Sequence, residues 1–195
     1  VIQELARAQA AAGADYLDLN LGPARRVPES DASWLVNTVQ EVTDLAISLD
    51  TMNPVAMEAG LKICKKRPLL NSASGKSESR EHMMPLAVKH NADIIISVIT
   101  DRGCPPDVNS RVESIVDTVG YANGLGIKNE DIWVDPVILP VSADQKQVRE
   151  ALEFIKILGE LLPGVKSVVG LSNVSNGTPA PLRGIINRTY LMMLE

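Results

Sequence analysis

The chain has 195 residues, of which 45% are hydrophobic, and it carries a formal net charge of −5. That length can bury one sizeable core. The acidic balance and a 3% share of aromatic residues disfavour nucleic acid or an anionic membrane as the main partner.

The remaining composition indicates a soluble cytoplasmic protein. The two cysteines, Cys64 and Cys104, cannot form a disulfide framework and are typical of a reducing compartment. The opening segment, VIQELARAQAAAGADY, predicts an amphipathic helix and not a signal peptide. No apolar run reaches the roughly 20 residues that a membrane span needs, so we expect no membrane partner.

Short apolar segments alternate with helical ones along the chain. Six of them are too apolar to be half-solvated, which predicts a parallel sheet covered by helices. They are residues 15–20, 45–50, 67–71, 92–99, 131–135 and 166–171. Asn53-Pro54 predicts a helix start, and apolar residues at helical spacing predict helices over 107–124 and 143–160.

Repeated strand–helix units imply either a doubly wound sheet or a TIM barrel. A doubly wound nucleotide-binding sheet carries a glycine fingerprint after its first strand, and this sequence has none. No internal repeat or linker divides the chain. We therefore predict one α/β domain over residues 1–195, built as a TIM (β/α)8-type barrel.

The carboxyl ends of the predicted strands carry polar residues. They are Asp18, Asn20, Asp50, Asn71, Asp135, Ser172 and Asn173. In a barrel these ends meet at one mouth, where the active site lies. Carboxylates, amides and hydroxyls suit hydrogen bonding to the edge of a flat heterocycle such as a pterin. Taken singly, each of these residues could instead cap a helix or form a turn.

The sequence offers few groups for other kinds of catalysis. His82 and His90 fall in a helical segment, where we expect them to be solvated, so a serine nucleophile would lack its base. No cluster of His, Cys and Asp has metal-binding spacing, and we expect this chain to bind no metal. Cys104 is interpreted as a plain loop thiol.

Six motifs occur in a characteristic order. They are LDLNLGP (17–23), SLDTMNPVAMEAGL (48–61), NS (71–72), DPVILP (135–140), GLSNVSNG (170–177) and INRTYL (186–191). Together they resemble the methyltetrahydrofolate:corrinoid/iron–sulfur protein methyltransferases. These are pterin-binding TIM barrels related to dihydropteroate synthase and to the folate module of cobalamin-dependent methionine synthase.

The resemblance implies a set of site residues. Those implied to bind the pterin are Asp50, Asn71, Asp135, Gly170, Ser172, Asn20 and Arg183. Asn173 is implied as the catalytic residue, because its counterpart in the family reaches N5, the atom that carries the methyl group. The resemblance also implies a folate substrate, a corrinoid (iron–sulfur) protein that carries the cobalt, and a homodimer.

The sequence departs from the family at its two ends. The family begins with a further strand and ends with an eighth strand and helix, and TIM barrels usually need roughly 250 residues. We therefore expect the barrel to be incomplete in this chain, with its first and last strands missing, as in a fragment of a longer polypeptide.

Two other functions stay open. A dihydropteroate synthase shares the pterin residues, but that family uses a lysine after its penultimate strand, which GLSNVSNG lacks. A folate-binding or corrinoid-partner scaffold would keep the fold without turnover. The direction of methyl transfer is also open.

Overall fold

A parallel sheet forms the centre of the protein. Residues 1–22 and 29–195 are described by the computed structural model. The strands are β1 (Tyr16–Asn20), β2 (Ala46–Asp50), β3 (Leu69–Ser74), β4 (Asp93–Ser97), β5 (Ile132–Asp135) and β6 (Lys166–Ser167). Each strand pairs in parallel with the next one along the chain.

This strand order distinguishes the two folds that the sequence left open. A doubly wound sheet reverses its strand order at a switch point. The present order runs from β1 to β6 without reversal, which is the winding of a barrel, and the predicted barrel-type α/β fold is confirmed. Within the described ranges the hydrogen bonds do not join β1 to β6, so they do not close the barrel.

Helices connect the strands and cover one face of the sheet. They are α1 (Ile2–Ala11), α2 (Glu29–Gln40), α3 (Pro54–Leu61), α4 (Ser77–His82), α5 (Met84–Lys89), α6 (Val108–Gly124), α7 (Gln145–Leu161) and α8 (Ala180–Leu194). Asn53 begins α3 as predicted, because its Oδ1 accepts hydrogen bonds from the backbone N–H groups of Val55 and Ala56 at 3.0 and 3.2 Å. In the part of the chain that the structure covers, no helix is both long and apolar enough to traverse a bilayer.

The strand predicted over residues 166–171 is wrong beyond Ser167. The Val168 N–H still donates to the Val134 carbonyl at 3.0 Å, but a short 3-10 helix already begins at Leu171 and runs to Ser175. In the described sheet β6 pairs with β5 alone, so a single ladder of hydrogen bonds supports it. The polar segment 170–176 therefore forms a helical turn beyond the sheet.

The two faces of the sheet differ in chemistry. Buried apolar side chains of β1 and β2 pack beneath the helices, and these are Leu17, Leu19, Ile47 and Leu49. Because side chains alternate along a strand, Asp18, Asn20 and Asp50 project from the opposite face. The polar residues at the strand ends therefore share one side of the sheet.

That polar face is concave. The rings of Tyr16 in β1 and Trp133 in β5 meet edge to face, with centroids 6.0 Å apart, although three strands separate β1 from β5. The sheet must curl for these rings to touch. Nearby, Arg67 pairs with Asp93 at 3.0 Å and with Asp131 at 2.9 Å. We call these five residues the amino-end floor, because they link the amino ends of the strands.

Candidate active site

Three polar residues stand side by side on β1, β2 and β3. Asn20 and Asp50 end β1 and β2, but the prediction that a strand ends at Asn71 is wrong, because β3 continues to Ser74. The strand register pairs Asn20 with Asp50, and Asp50 with Asn71. The Asn20 side-chain amide donates to the Asp50 carboxylate, while Asn20 Oδ1 accepts the backbone N–H of Gly22 at 2.6 Å. This turn fixes which end of the Asn20 amide faces Asp50. We call Asn20, Asp50 and Asn71 the amide–carboxylate row.

Asp18, two residues before Asn20 in β1, is hydrogen-bonded to this row. Its Oδ1 accepts hydrogen bonds from the Ser48 hydroxyl at 2.6 Å and from the Asn71 side-chain amide at 3.1 Å. Sequence reasoning placed Asp18 among the polar strand ends, but the family resemblance assigned it no role. The available signal was the spacing in YLDLN, which puts Asp18 and Asn20 on one face of a strand.

Asp135 lies on the same concave face, farther along the sheet. Trp133 contacts Tyr16 across that face, and side-chain alternation places Asp135, two residues later, on the same side as Trp133. The Val137 N–H donates to Asp135 Oδ1 at 2.8 Å, so the carboxylate also forms the local turn that was the alternative interpretation of this residue.

The environment of Asp135 is unusual in charge and in backbone conformation. Burial raises the pKa of its carboxyl group, while the Val137 hydrogen bond and the positive charge of Arg111 act in the opposite direction. Val137 has a φ of 61°, a conformation that costs a β-branched residue about 1–3 kcal/mol. Strain of this kind persists only where surrounding contacts hold it.

The polar turn after β6 forms a second group. The Asn173 N–H donates to the Gly170 carbonyl at 3.0 Å, and a Cβ placed on Gly170 would lie 2.8 Å from Asn173 Nδ2. The Asn173 amide therefore folds back over Gly170, where a side chain would displace it. Ser172 and Asn173 are both exposed.

Arg183 of α8 contacts the end of the same turn. Its Nε donates to the Ser175 hydroxyl at 3.3 Å, and that hydroxyl donates to the Ser172 carbonyl at 3.2 Å. The turn is tied to the segment after Asp135, because the Val141 N–H donates to the Val174 carbonyl at 2.9 Å. Apart from Asp135, the implied residues thus form two groups toward the carboxyl end of the sheet: the amide–carboxylate row, and the turn with Arg183.

The motif residues outside these groups have simpler positions. Pro23, which ends the LDLNLGP motif, lies outside the described residues. His82 is exposed as expected, but the same expectation is wrong for His90, whose side chain is 14% exposed and lies 3.6 Å from Glu58. Burial raises the pKa of the Cys104 thiol, which suits an unreactive loop cysteine.

A cavity of about 600 Å³ lies among α4, α6 and the loop after β4. Its lining includes Ser77, Arg80, Asp101 and Cys104 but none of the site residues implied by the resemblance. Across residues 1–22 and 29–195, no three His, Cys, Asp or Glu side chains are grouped to hold a metal ion. The two polar groups, together with Asp135, therefore remain the candidate site.

Fold and site together define a barrel-type α/β protein with a hydrogen-bonding surface at the carboxyl ends of its strands. A family model described as pterin binding enzyme matches residues 2–188, and the chain belongs to this family. The assignment agrees with the carboxylate and amide character of the site.

Two relatives match almost the whole of this chain. A methylcorrinoid:tetrahydrofolate methyltransferase of Eubacterium limosum is 27% identical over 194 residues, which cover 98% of this chain and 71% of that protein. A methionine synthase of Mycobacterium leprae is 26% identical over 198 residues, covering 96% of this chain. The chain spans only 16% of the length of that synthase.

Solved structures support the fold independently. The dihydropteroate synthase of Yersinia pestis superposes with a TM-score of 0.72 at 17% identity, covering 98% of this chain and 77% of that one. The dihydropteroate synthase of Thermus thermophilus gives a TM-score of 0.70 at 22% identity, with 98% and 78% covered. At such identities the likeness concerns the fold alone.

Proposed function

We propose that this protein is a methyltransferase that moves the N5-methyl group of methyltetrahydrofolate to the Co(I) centre of a corrinoid (iron–sulfur) partner protein, or catalyses the reverse transfer. The observation that carries the proposal is the amide–carboxylate row on the concave face. A row of this kind offers acceptors to the amine and N–H groups of a pterin and donors to its carbonyl. The names of both relatives are consistent with this chemistry.

The proposal divides the site residues by role. Asp50, Asn71 and Asp135 position the ring through its polar edge, with Asn20 orienting Asp50. For Asp135, the turn uses Oδ1, and we assign Oδ2 to the pterin. The remaining binding residues, Gly170, Ser172 and Arg183, shape the wall beside N5 and hold the turn that presents Asn173.

The reaction needs no nucleophile from this chain, because Co(I) is the nucleophile. What the chain must assist is the departure of N5 of the folate, which is the leaving group. In the forward direction the N5–CH3 bond breaks, N5 keeps its electron pair, and Co(I) supplies both electrons of the new bond. An N5 anion would leave poorly, so N5 must gain a proton. The Asn173 side chain can accept from N5–H through its oxygen or donate to N5 through its nitrogen.

The wider setting belongs to the same proposal. We infer a cytoplasmic homodimer, a single pterin-binding domain over residues 1–195, and cobalt that enters on the partner's corrinoid with no metal held by this chain. A dihydropteroate synthase activity has less support, because residues 170–177 contain no lysine. The direction of transfer is left to experiment.

The decisive test is methyl transfer by this protein. The protein would be mixed with methyltetrahydrofolate and a reduced corrinoid protein, and tetrahydrofolate release and the methyl–cobalt absorbance would be followed together. The reverse reaction, started from methylated corrinoid protein and tetrahydrofolate, measures the other direction. Folate binding without either reaction would favour the scaffold alternative, and absence of folate binding would reject the proposal.

A methyl group added to Gly170 should impair this reaction. Gly170→Ala places a Cβ 2.8 Å from Asn173 Nδ2, so the amide must move away from its position over residue 170. We expect turnover to fall about tenfold, because small misplacements of a reacting group are costly. Stopped-flow methyl transfer measures the effect. The matched control is Gly184→Ala in α8, where the new Cβ would meet only Arg188 at 3.8 Å. Equal rates for the two variants would contradict the assignment.

Folate affinity should depend on pH through Asp135. The ionised carboxylate is the form that accepts from pterin N–H groups, so binding is strong above its pKa and weakens as the pH falls through it. Because burial raises that pKa, the loss should begin at a higher pH than for an exposed aspartate. Calorimetric titrations between about pH 4 and pH 8 test this. Asp135→Asn should remove this dependence. If the affinity of the variant still changed with pH as in wild type, the assignment of Asp135 would be contradicted.

A further inference from the structure

Arg111 is a buried cation beside the candidate site. It lies in the second turn of α6 and has 0% of its surface exposed. One guanidinium nitrogen donates to the Pro136 carbonyl and another to Gln147 Oε1 at 2.8 Å. The nitrogen that bonds to Gln147 also donates weakly to Cys104 Sγ at 3.9 Å. A carbonyl, an amide oxygen and a thiol are all neutral, and none of the described ion pairs includes Arg111. A buried charge held only by neutral groups needs an explanation, because desolvation of an ion is costly.

The Pro136 contact supplies that explanation. The carbonyl of Pro136 and the N–H of Val137 belong to the same peptide group. Arg111 donates to the oxygen end of this group, and its N–H end donates to Asp135 Oδ1 at 2.8 Å. The peptide dipole therefore lies between a cation and an anion, aligned favourably with both. Arg111 and Asp135 are thus linked through one peptide group and make no direct ion pair.

The same arrangement accounts for the strained backbone. Rotation of the Pro136–Val137 peptide would change φ of Val137, which is 61° in the observed orientation. A flip could relieve the strain, but it would turn the carbonyl away from Arg111 and the N–H away from Asp135. The two charged side chains thus hold the peptide in a conformation that valine alone would avoid.

We propose that Arg111 is a positioning residue for Asp135, acting through the Pro136–Val137 peptide without touching the ligand. The role of Asp135 as a pterin acceptor rests on the proposed function. The geometric part of the proposal is that Arg111 fixes the rotamer and charge state of Asp135, and this part does not rest on the proposed function.

The geometric part is tested without any ligand. Selective ¹³C labelling of aspartate and NMR titration would follow the Asp135 carboxyl group in wild type and in Arg111→Met. Loss of the cation and of the oriented N–H should raise the pKa of Asp135. The Cys104 thiol also senses the charge of Asp135, but burial raises its pKa, so it stays neutral over the acidic range of the titration. Arg111→Lys, which retains a cation, should restore part of the wild-type behaviour.

The functional part is tested by a double-mutant cycle for methyltetrahydrofolate binding. Arg111→Met should weaken binding about tenfold when Asp135 is present, and should have little further effect in Asp135→Asn. A residue that merely stabilises the fold would cost the same in both backgrounds. The matched control is Arg80→Met, which removes an arginine paired with Asp117. It should change neither the titration of Asp135 nor the affinity for methyltetrahydrofolate.

The outcomes separate the two proposals. An unchanged Asp135 titration in Arg111→Met, or equal losses of binding in both backgrounds, would overturn the role of Arg111. A wild-type protein that binds no methyltetrahydrofolate would overturn the proposed function, while the ligand-free titration still decides the positioning role. If Arg111→Met does not fold, Arg111→Gln removes the charge with less change of shape, and its Asp135 titration decides in the same way.

Discussion

Replacing Asn173 with alanine should lower the turnover of methyl transfer by about 10- to 1,000-fold and leave methyltetrahydrofolate binding nearly unchanged. The amide is exposed at the end of the polar turn, where it folds over Gly170, and it buries little surface of its own. Its proposed contact is to N5 at the moment the methyl group departs. Such a contact stabilises the transition state more than the bound substrate.

Single-turnover methyl transfer and equilibrium folate binding, measured on the same preparations, separate these two quantities. The matched control is Asn176→Ala, three residues farther along, where an exposed asparagine contacts Ser142 through its backbone carbonyl. This variant should behave like wild type in both assays. Small and equal changes in rate and affinity for Asn173→Ala would argue that Asn173 only lines the site.

Replacing Asp135 with alanine should have the opposite profile. We expect methyltetrahydrofolate to bind about 100-fold more weakly, because a charge-assisted hydrogen bond is lost and the pterin donor is left unpaired. The Val137 N–H also loses its acceptor, which removes the local hold on a strained turn. The rate of the bound complex should change much less, because Asp135 is proposed to act on the ring edge and not on N5.

Isothermal titration calorimetry measures this loss directly, with thermal unfolding to confirm that the variant folds. Asp117→Ala is the matched control, since it removes an exposed carboxylate of α6 that pairs with Arg80 instead of facing the concave surface. A comparable loss of affinity in both variants would mean that net charge, and not the specific acceptor, governs binding.

The strands and the polar character of their ends could be predicted because both are encoded locally. Runs such as 45–50 and 131–135 are apolar and rich in β-formers, and each ends in an aspartate. Once the sheet is wound in chain order, the carboxyl ends must lie at one edge. The pairing of Asn20 with Asp50 follows from that geometry, whereas Asn71 lies within β3, which continues three residues beyond it.

Long-range partners could not be predicted in the same way. Arg111 lies in an amphipathic helix, where an arginine is normally solvated, and nothing near it in sequence indicates the Pro136 carbonyl 25 residues away. Val137 is a poor candidate for a positive φ, because β-branched side chains disfavour it. Both features arise from tertiary contacts that oppose local preference.

The early end of β6 has a related cause. Residues 165–169 are apolar enough for a longer strand, but a strand also needs partners for its backbone groups. The described sheet offers β6 one neighbour, and the chain turns into the 3-10 helix at Leu171. The shorter strand is what allows Gly170 and Asn173 to approach one another.

The amino-end floor has a consequence for how the molecule tolerates change. Tyr16, Trp133 and the Arg67 ion pairs anchor the strands at the end opposite the residues that we propose to bind the pterin. The contacts that stiffen the sheet and the residues proposed for chemistry therefore lie at opposite ends of the strands. Substitutions in the loops at the carboxyl ends can change ligand specificity without loss of the fold. Relatives that catalyse different reactions can therefore share one architecture.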